Sequence, residues 1–105
     1  MLFYCEYTWL PGTTQQRVAE RFQQQEEAGL HHPEKWRGWY ALTGGGAGFL
    51  VVETNDEREV TAMLQPYMDV LKWDVRSIYE LKYETMKEQL RQTAAAGSAG
   101  MSSRT

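Results

Sequence analysis

Four charged side chains and two aromatic ones carry the most chemistry in this sequence: Glu6, Glu53, Arg37 and Arg76, with Tyr4 and Trp39. A carboxylate held in a partly dry cavity has a raised pKa and acts as a general base, and an arginine fork holds a carboxylate or enolate oxygen. These six are the candidate ligand-binding residues. The same residues also suit a set of salt bridges organising a contact between subunits, because ion-pair networks perturb pKa values without catalysis. No nucleophile paired with a base is visible, so catalytic residues stay unassigned.

Other groups carry less. His31 and His32 are adjacent, which denies them the i, i+4 spacing of a helical metal site, and no carboxylate-rich ligand set surrounds them in sequence; a solvated loop is expected and no metal site or cofactor is assigned. Cys5 stands alone, so no disulfide closes within the chain, and it reads as a small buried hydrophobe in a reducing, cytoplasmic setting. Gly44-Gly45-Gly46-Ala47-Gly48 joins two strands and not a strand to a helix, so it is a hairpin without a helix N-terminus to bind phosphate. A mobile hairpin of this kind can also gate a cavity.

The candidate residues must be positioned by a small domain. Leu2 to Trp9 alternates with period two and meets Pro11-Gly12, which reads as a first strand. Thr13 with Gln16 three residues on is a capping-box pattern, and Val18, Ala19 and Phe22 give the following helix an apolar face before Gly29 stops it. Lys35 to Leu42 and Gly48 to Thr54 read as strands around the glycine hairpin. Asn55 or Asp56 caps a second helix whose apolar residues run from Val60 to Leu71, interrupted by Pro66. Trp73 to Leu81 is the fourth strand, and Tyr83, Met86 and Leu90 mark one side of a terminal helix.

That order is βαββαβ plus a C-terminal helix, an α+β ferredoxin-like plan with strand order 4-1-3-2. Residues 1–92 form the domain, and 93–105, rich in Ala, Gly and Ser, are expected to be a flexible tail with little to bury. Alternation places Tyr4, Glu6, Arg37, Trp39, Phe49, Val51, Glu53, Arg76, Ile78 and Glu80 on one mixed face of the sheet, opposite a mostly apolar face suited to the helices.

Phe49-Leu50-Val51-Val52-Glu53-Thr54-Asn55-Asp56, Met63 to Tyr67 and Asp69-Val70-Leu71-Lys72-Trp73-Asp74-Val75 resemble a bacterial domain-of-unknown-function family of the dimeric α+β barrel superfamily, over roughly residues 2–82. The resemblance implies a homodimer in which the mixed faces of two sheets meet around a cavity, with a small molecule or partner protein bound in or beside that barrel. It also implies an alternative, a small cofactor-independent enzyme of monooxygenase, isomerase or cyclase type. Haem-degrading relatives combine Asn, Trp and His, whereas here both histidines fall in a loop and the only Asn, Asn55, caps a helix.

Composition narrows the partners. A formal net charge of −3 disfavours coating a phosphate backbone. The βαββαβ plan is shared with RNA-recognition modules, but the third strand lacks their basic residue and has Ala47 and Val52 at stacking positions, so no nucleic-acid partner is expected. No membrane partner is expected either: Phe49-Leu50-Val51-Val52 is the longest strongly apolar run, far too short to span a bilayer, and Glu6 interrupts any signal-like start.

Overall fold

The computed structural model describes the backbone of residues 1–104 and the side chains of residues 1–97. Its elements are β1 (Leu2–Trp9), α1 (Gln15–Glu27), β2 (Trp36–Ala41), β3 (Ala47–Glu53), α2 (Glu57–Leu64), β4 (Leu71–Ile78) and α3 (Tyr83–Arg104), with short 3₁₀ turns at Pro33–Lys35 and Gln65–Tyr67. The four strands form one antiparallel sheet in the order β2-β3-β1-β4. This is the ferredoxin-like α+β plan with an added C-terminal helix.

Alternation in β1 buries Phe3 and Cys5 on the side of the helices and leaves Tyr4 and Glu6 half-buried on the other. From β3 the same inner face receives Leu50 and Val52, and α2 lays Val60, Met63 and Leu64 over them. A second cluster gathers Tyr67, Val70 and Leu71 with Tyr7, Trp9 and Val18, and Trp73 packs against both clusters. Trp73 on β4 is therefore the side chain that makes one core of two.

Helix α1 has no fully buried residue, and polar staples fix it to the rest. Its cap is Thr14, whose hydroxyl accepts the Arg17 N–H at 3.2 Å, and not the Thr13 of the sequence pattern. Thr13 instead donates to the Val70 carbonyl at 3.1 Å, tying the turn after β1 to the start of β4. Arg21 reaches across to the Pro66 carbonyl and to both carboxylate oxygens of Asp69, the latter at 2.5 and 2.9 Å.

Asp56 caps α2 by accepting the Arg58 N–H at 3.0 Å. The helix stops at Leu64, well short of the apolar spacing that runs to Leu71, because Pro66 cannot donate and opens a 3₁₀ turn. β4 ends at Ile78 and not Leu81, since Leu2, the first residue of its partner β1, pairs with Ile78 and leaves 79–82 without a strand to bond. α3 continues to Arg104 through Ala94, Ala95 and Ala96, which composition alone assigns to a flexible tail; alanine is the best helix former, and these three are exposed and bury nothing. Residue 105 and the side chains of 98–104 lie outside the described residues. Among the described residues no helix is long and apolar enough to cross a membrane.

One face assignment changes. Strict alternation in β2 puts Trp39 with Arg37 on the mixed face, but the pairing with β3 slips between Trp36 and Gly38: Trp36 opposes Val52, Gly38 opposes Val51, Trp39 opposes Leu50 and Tyr40 opposes Phe49. Arg37 is the extra residue of a β-bulge, and one inserted residue exchanges the faces of everything after it. Trp39 therefore points to the helices, and Tyr40 takes its place on the open face.

Cys5 is fully buried on the inner face, and burial pushes its thiol up to about 11. Such a thiol is inert. An aromatic disulfide reagent at pH 8 is expected to leave the native protein unmodified and to titrate one thiol at once in denaturant. Immediate reaction of the native protein would show that the inner face of β1 opens.

Candidate functional site

The six residues proposed from sequence do not form one site within the protomer. Arg37 donates through Nε to Glu53 at 2.6 Å and through Nη1 to the Glu34 carbonyl at 3.1 Å, on the outer strand β2. Arg76 donates to Asp74 at 2.9 Å on the opposite outer strand, β4. Two strands lie between the arginines, a separation of about 14 Å at ~4.8 Å per strand step. Tyr4 donates to Glu6 at 3.2 Å, and partial burial first and the Glu6 carboxylate second raise its phenol pKa. Around these pairs the open face is aromatic: Tyr4 leans on Phe49 with ring centroids 5.1 Å apart, and Phe49 stacks on Tyr40 at 5.0 Å.

Trp39, the sixth residue, belongs to a different place. On the helix side of the sheet a cleft of about 180 Å³ opens between α1, the 3₁₀ turn at Gln65–Tyr67 and the strands, its wall largely aromatic, with Tyr7, Phe22, Trp36, Trp39, Tyr67 and Trp73. Phe22 of α1 stacks on Trp39 at 5.6 Å with the rings 16° apart. Trp39 Nε1 donates to Tyr7 Oη at 3.1 Å, joining β2 to β1 across β3. The bridge exists because β3 has Gly48 beneath it. A Cβ on Gly48 would collide with the Tyr40 carbonyl oxygen and stand 2.5 Å from Tyr7 Oη.

The wall of the cleft also holds the residue that sequence reasoning placed in solvent. His31 is 7% exposed, and its Nε2 lies 2.5 Å from Tyr67 Oη. Two left-handed residues turn it inward. Gly29, at φ +71°, closes α1 in a Schellman turn, with Gly29 N–H on the Glu26 carbonyl and Leu30 N–H on the Gln25 carbonyl; His32, at φ +52°, then reverses the chain into Pro33. Phe22 packs on the imidazole at 4.4 Å, and Trp36 Nε1 donates to the His31 carbonyl at 2.9 Å. His32 remains exposed beside Glu34, as a loop histidine should.

Burial pushes the His31 pKa down, opposed by the Glu26 carboxylate, and burial pushes the Tyr67 phenol up to about 12, opposed by Arg21. Both groups are therefore neutral near pH 7. A neutral imidazole–phenol pair shares one hydrogen bond and keeps a lone pair on the phenol oxygen that can accept from a ligand hydroxyl, but it is a poor source of imidazolium or tyrosinate. The Trp73 indole Nε1 is buried with no partner, an unspent donor in a residue of the same wall. Among the described residues no three His, Cys, Asp or Glu side chains converge as a metal ion requires.

The sequence held signals for both misplaced residues. Gly38 inside an otherwise regular strand marks a bulge, and a bulge moves Trp39. Gly29 followed by Pro33 brackets a tight reversal, in which Leu30 or His31 must face inward.

His31 makes stability depend on pH in a definite direction. Its folded pKa lies below the usual 6.5, so the unfolded chain binds the proton first as pH falls. Stability from this group is complete above pH 6.5 and is lost on acidification, by at most about 1.4 kcal/mol per pH unit. Urea midpoints at pH 7.5 and 5.5 should differ in that direction, and His31→Gln should flatten the difference; an unchanged slope would place the acid sensitivity elsewhere. Gly48→Ala should cost about 1–3 kcal/mol by the same measurement, the ordinary penalty of overpacking. Undiminished stability would mean that Tyr7 and β2 yield without strain.

No curated protein matches this sequence. A family model described as a domain of unknown function matches residues 1–96, from β1 through every residue of the aromatic cleft and into α3. The chain thus belongs to the family of the domain of unknown function DUF3303.

Proposed function

We propose that this domain is a homodimer that holds a small, neutral, one-ring molecule with a hydrogen-bonding oxygen in the cleft on the helix side of its sheet. The observation that carries the reading is the cleft itself: apolar and aromatic walls that include a buried, neutral His31–Tyr67 pair. An apolar cavity of about 150 Å³ accommodates benzene. At about 180 Å³ this one suits a substituted ring and is too small for haem or a dinucleotide. The neutral pair favours holding a ligand over acid–base turnover, so binding stands ahead of the monooxygenase, isomerase or cyclase alternative.

The pairing surface is the open face of the sheet. Leu2, Tyr4, Phe49, Val51 and Ile78, with Tyr40 added by the bulge, leave one side of the sheet without a cover. Three carboxylates, Glu6, Glu53 and Asp74, are balanced there by Arg37, Lys72 and Arg76, and the aromatic rings already stack on one another. That balance gives a phosphate backbone no clustered positive surface, and bases find no free ring to stack on. A second copy meets it with the same apolar rows and locally neutralised pairs.

Two measurements test the reading. Light scattering on a sizing column should give at least twice the 12.2 kDa chain mass at micromolar concentration, and Phe49→Asp should lower that mass; a wild-type monomer, or a mass that Phe49→Asp leaves unchanged, removes the sheet-face pairing. For the cleft, p-cresol and toluene serve as probes of equal shape with and without a hydroxyl. Both should shift the indole N–H resonances of Trp39 and Trp73 saturably, p-cresol binding roughly 3- to 10-fold tighter for about one extra hydrogen bond. Tyr67→Phe should abolish that preference, and Val18→Trp should fill the cleft and stop both. Absence of saturation by either probe at millimolar concentration ends the ligand reading.

A further inference from the structure

The folded chain leaves two features unused, and they match. One is a groove of about 670 Å³ on the helix side of the sheet between α2 and the outer strand β4, lined by Phe3, Val60, Leu64, Met68, Trp73 and Val75, with Glu57 and Arg58 at its rim. The other is α3. Every described residue of this helix is exposed except half-buried Met86, and Tyr83 and Leu90 are 76% and 60% exposed.

Tyr83, Met86 and Leu90 follow the i, i+3, i+7 spacing of a single apolar stripe. From Tyr83 to Leu90 is about 10 Å of helix, against about 12 Å for the eight residues of α2 that wall the groove. The stripe is too short for a coiled coil, which requires three to four heptads. It suits a groove two turns long. Glu84 and Lys87 beside the stripe carry charges of both signs, as Glu57 and Arg58 do at the rim.

Surface area says what covers these features. The chain exposes 7877 Å², against roughly 6,100 Å² for a compact monomer of its mass. Its radius of gyration is 19.8 Å, where a compact chain of this length has about 13 Å. The excess of roughly 1,800 Å² is more than the ~800 Å² that each partner of a standard interface hides. α3 leaves its own groove open, so the helix that fills it comes from outside the protomer, and reciprocal exchange closes both grooves at once.

We propose that α3 is an exchanged arm whose Tyr83–Met86–Leu90 stripe seats in the α2–β4 groove of a second copy of this chain, which returns its own α3. The contact needs no ligand in the aromatic cleft and uses the opposite side of the sheet from the open-face pairing, so either of those readings can fail without it.

Disulfide trapping on the full chain tests it, with no background from Cys5 because that thiol is buried. Leu90→Cys and Val75→Cys are prepared separately, one of them nitrogen-15 labelled, then mixed and oxidised at micromolar concentration. The expected product is a mixed-mass dimer joining one of each, with neither variant linking to itself. Self-linking by Leu90→Cys alone would show α3 pairing with α3 and overturn the proposal. So would a Leu90→Cys/Val75→Cys double variant that closes within one chain at nanomolar dilution, because α3 would then fill its own groove. Failure of any link to form overturns it as well. Leu90→Glu, a surface change the fold tolerates, should weaken self-association by roughly tenfold or more; unchanged association would count against the arm.

Discussion

The bulge at Arg37 decides what each side of this sheet can do. Without it Trp39 would stand on the open face and Tyr40 against the helices. With it, Trp39 stacks on Phe22 and donates to Tyr7, while Tyr40 extends the aromatic row formed by Tyr4 and Phe49. One unpaired residue on an outer strand thus sends an indole to the cleft and a phenol to the open face. It also frees Arg37 from the ladder to reach Glu53 and the Glu34 carbonyl, which fastens the start of β2 to the end of β3.

Specific contacts hold the walls of the cleft apart. Gly48 lets Tyr7 lie across β3, Trp39 is held by Tyr7 on one side and Phe22 on the other, and Arg21 fixes the turn that carries Tyr67 through Pro66 and Asp69. Empty apolar space is a cost of about 24 cal/mol per Å³, so 180 Å³ represents up to about 4 kcal/mol, less whatever the open mouth regains from solvent. Against a total stability of about 5–15 kcal/mol that is a large fraction. A chain that keeps Val18 and Leu50 along such a wall, where larger side chains would fill it, keeps room for an occupant.

Much of this fold is legible in the sequence because its signals are local and agree. Period two in Leu2–Trp9, the Thr-Gly-Gly-Gly hairpin, the Asp56 cap and the stop at Pro66 each depend on a few neighbouring residues, and the element order follows from them. The site was less legible for a physical reason. Trp39, His31 and Tyr67 come together from β2, from the loop before it and from the turn after α2, and two of the three are placed by exceptions to regular geometry, a bulge and a pair of left-handed residues. Charges drew attention to Glu6, Arg37, Glu53 and Arg76 because charged residues are conspicuous in a strand, but on this sheet each bonds a close neighbour. What alternation read correctly was that the open face mixes apolar rows with charges.

The distribution of charge separates the two kinds of recognition this molecule can offer. Most of the ion pairs among the described residues lie at the surface, Arg17 and Arg21 with Asp69, Arg37 with Glu53, Arg58 with Asp56, Arg76 with Asp74 and Arg91 with Glu88, while Lys35 with Glu59 is half-buried beside Thr54. Exposed pairs contribute little stability each, about 0–1 kcal/mol, but they leave outer surfaces patterned in sign, which aligns one protein against another. Inside, burial keeps both His31 and Tyr67 neutral, so the ligand proposed for the cleft would be selected by shape and by one or two uncharged hydrogen bonds. A ligand carrying a full charge would enter this cleft without a counterion and would forfeit its hydration, whereas a neutral ring gives up little water and gains the aromatic walls. The same division suits the contact proposed for α3, whose apolar stripe is flanked by Glu84 and Lys87, a pattern of a protein surface and not of a small-molecule site.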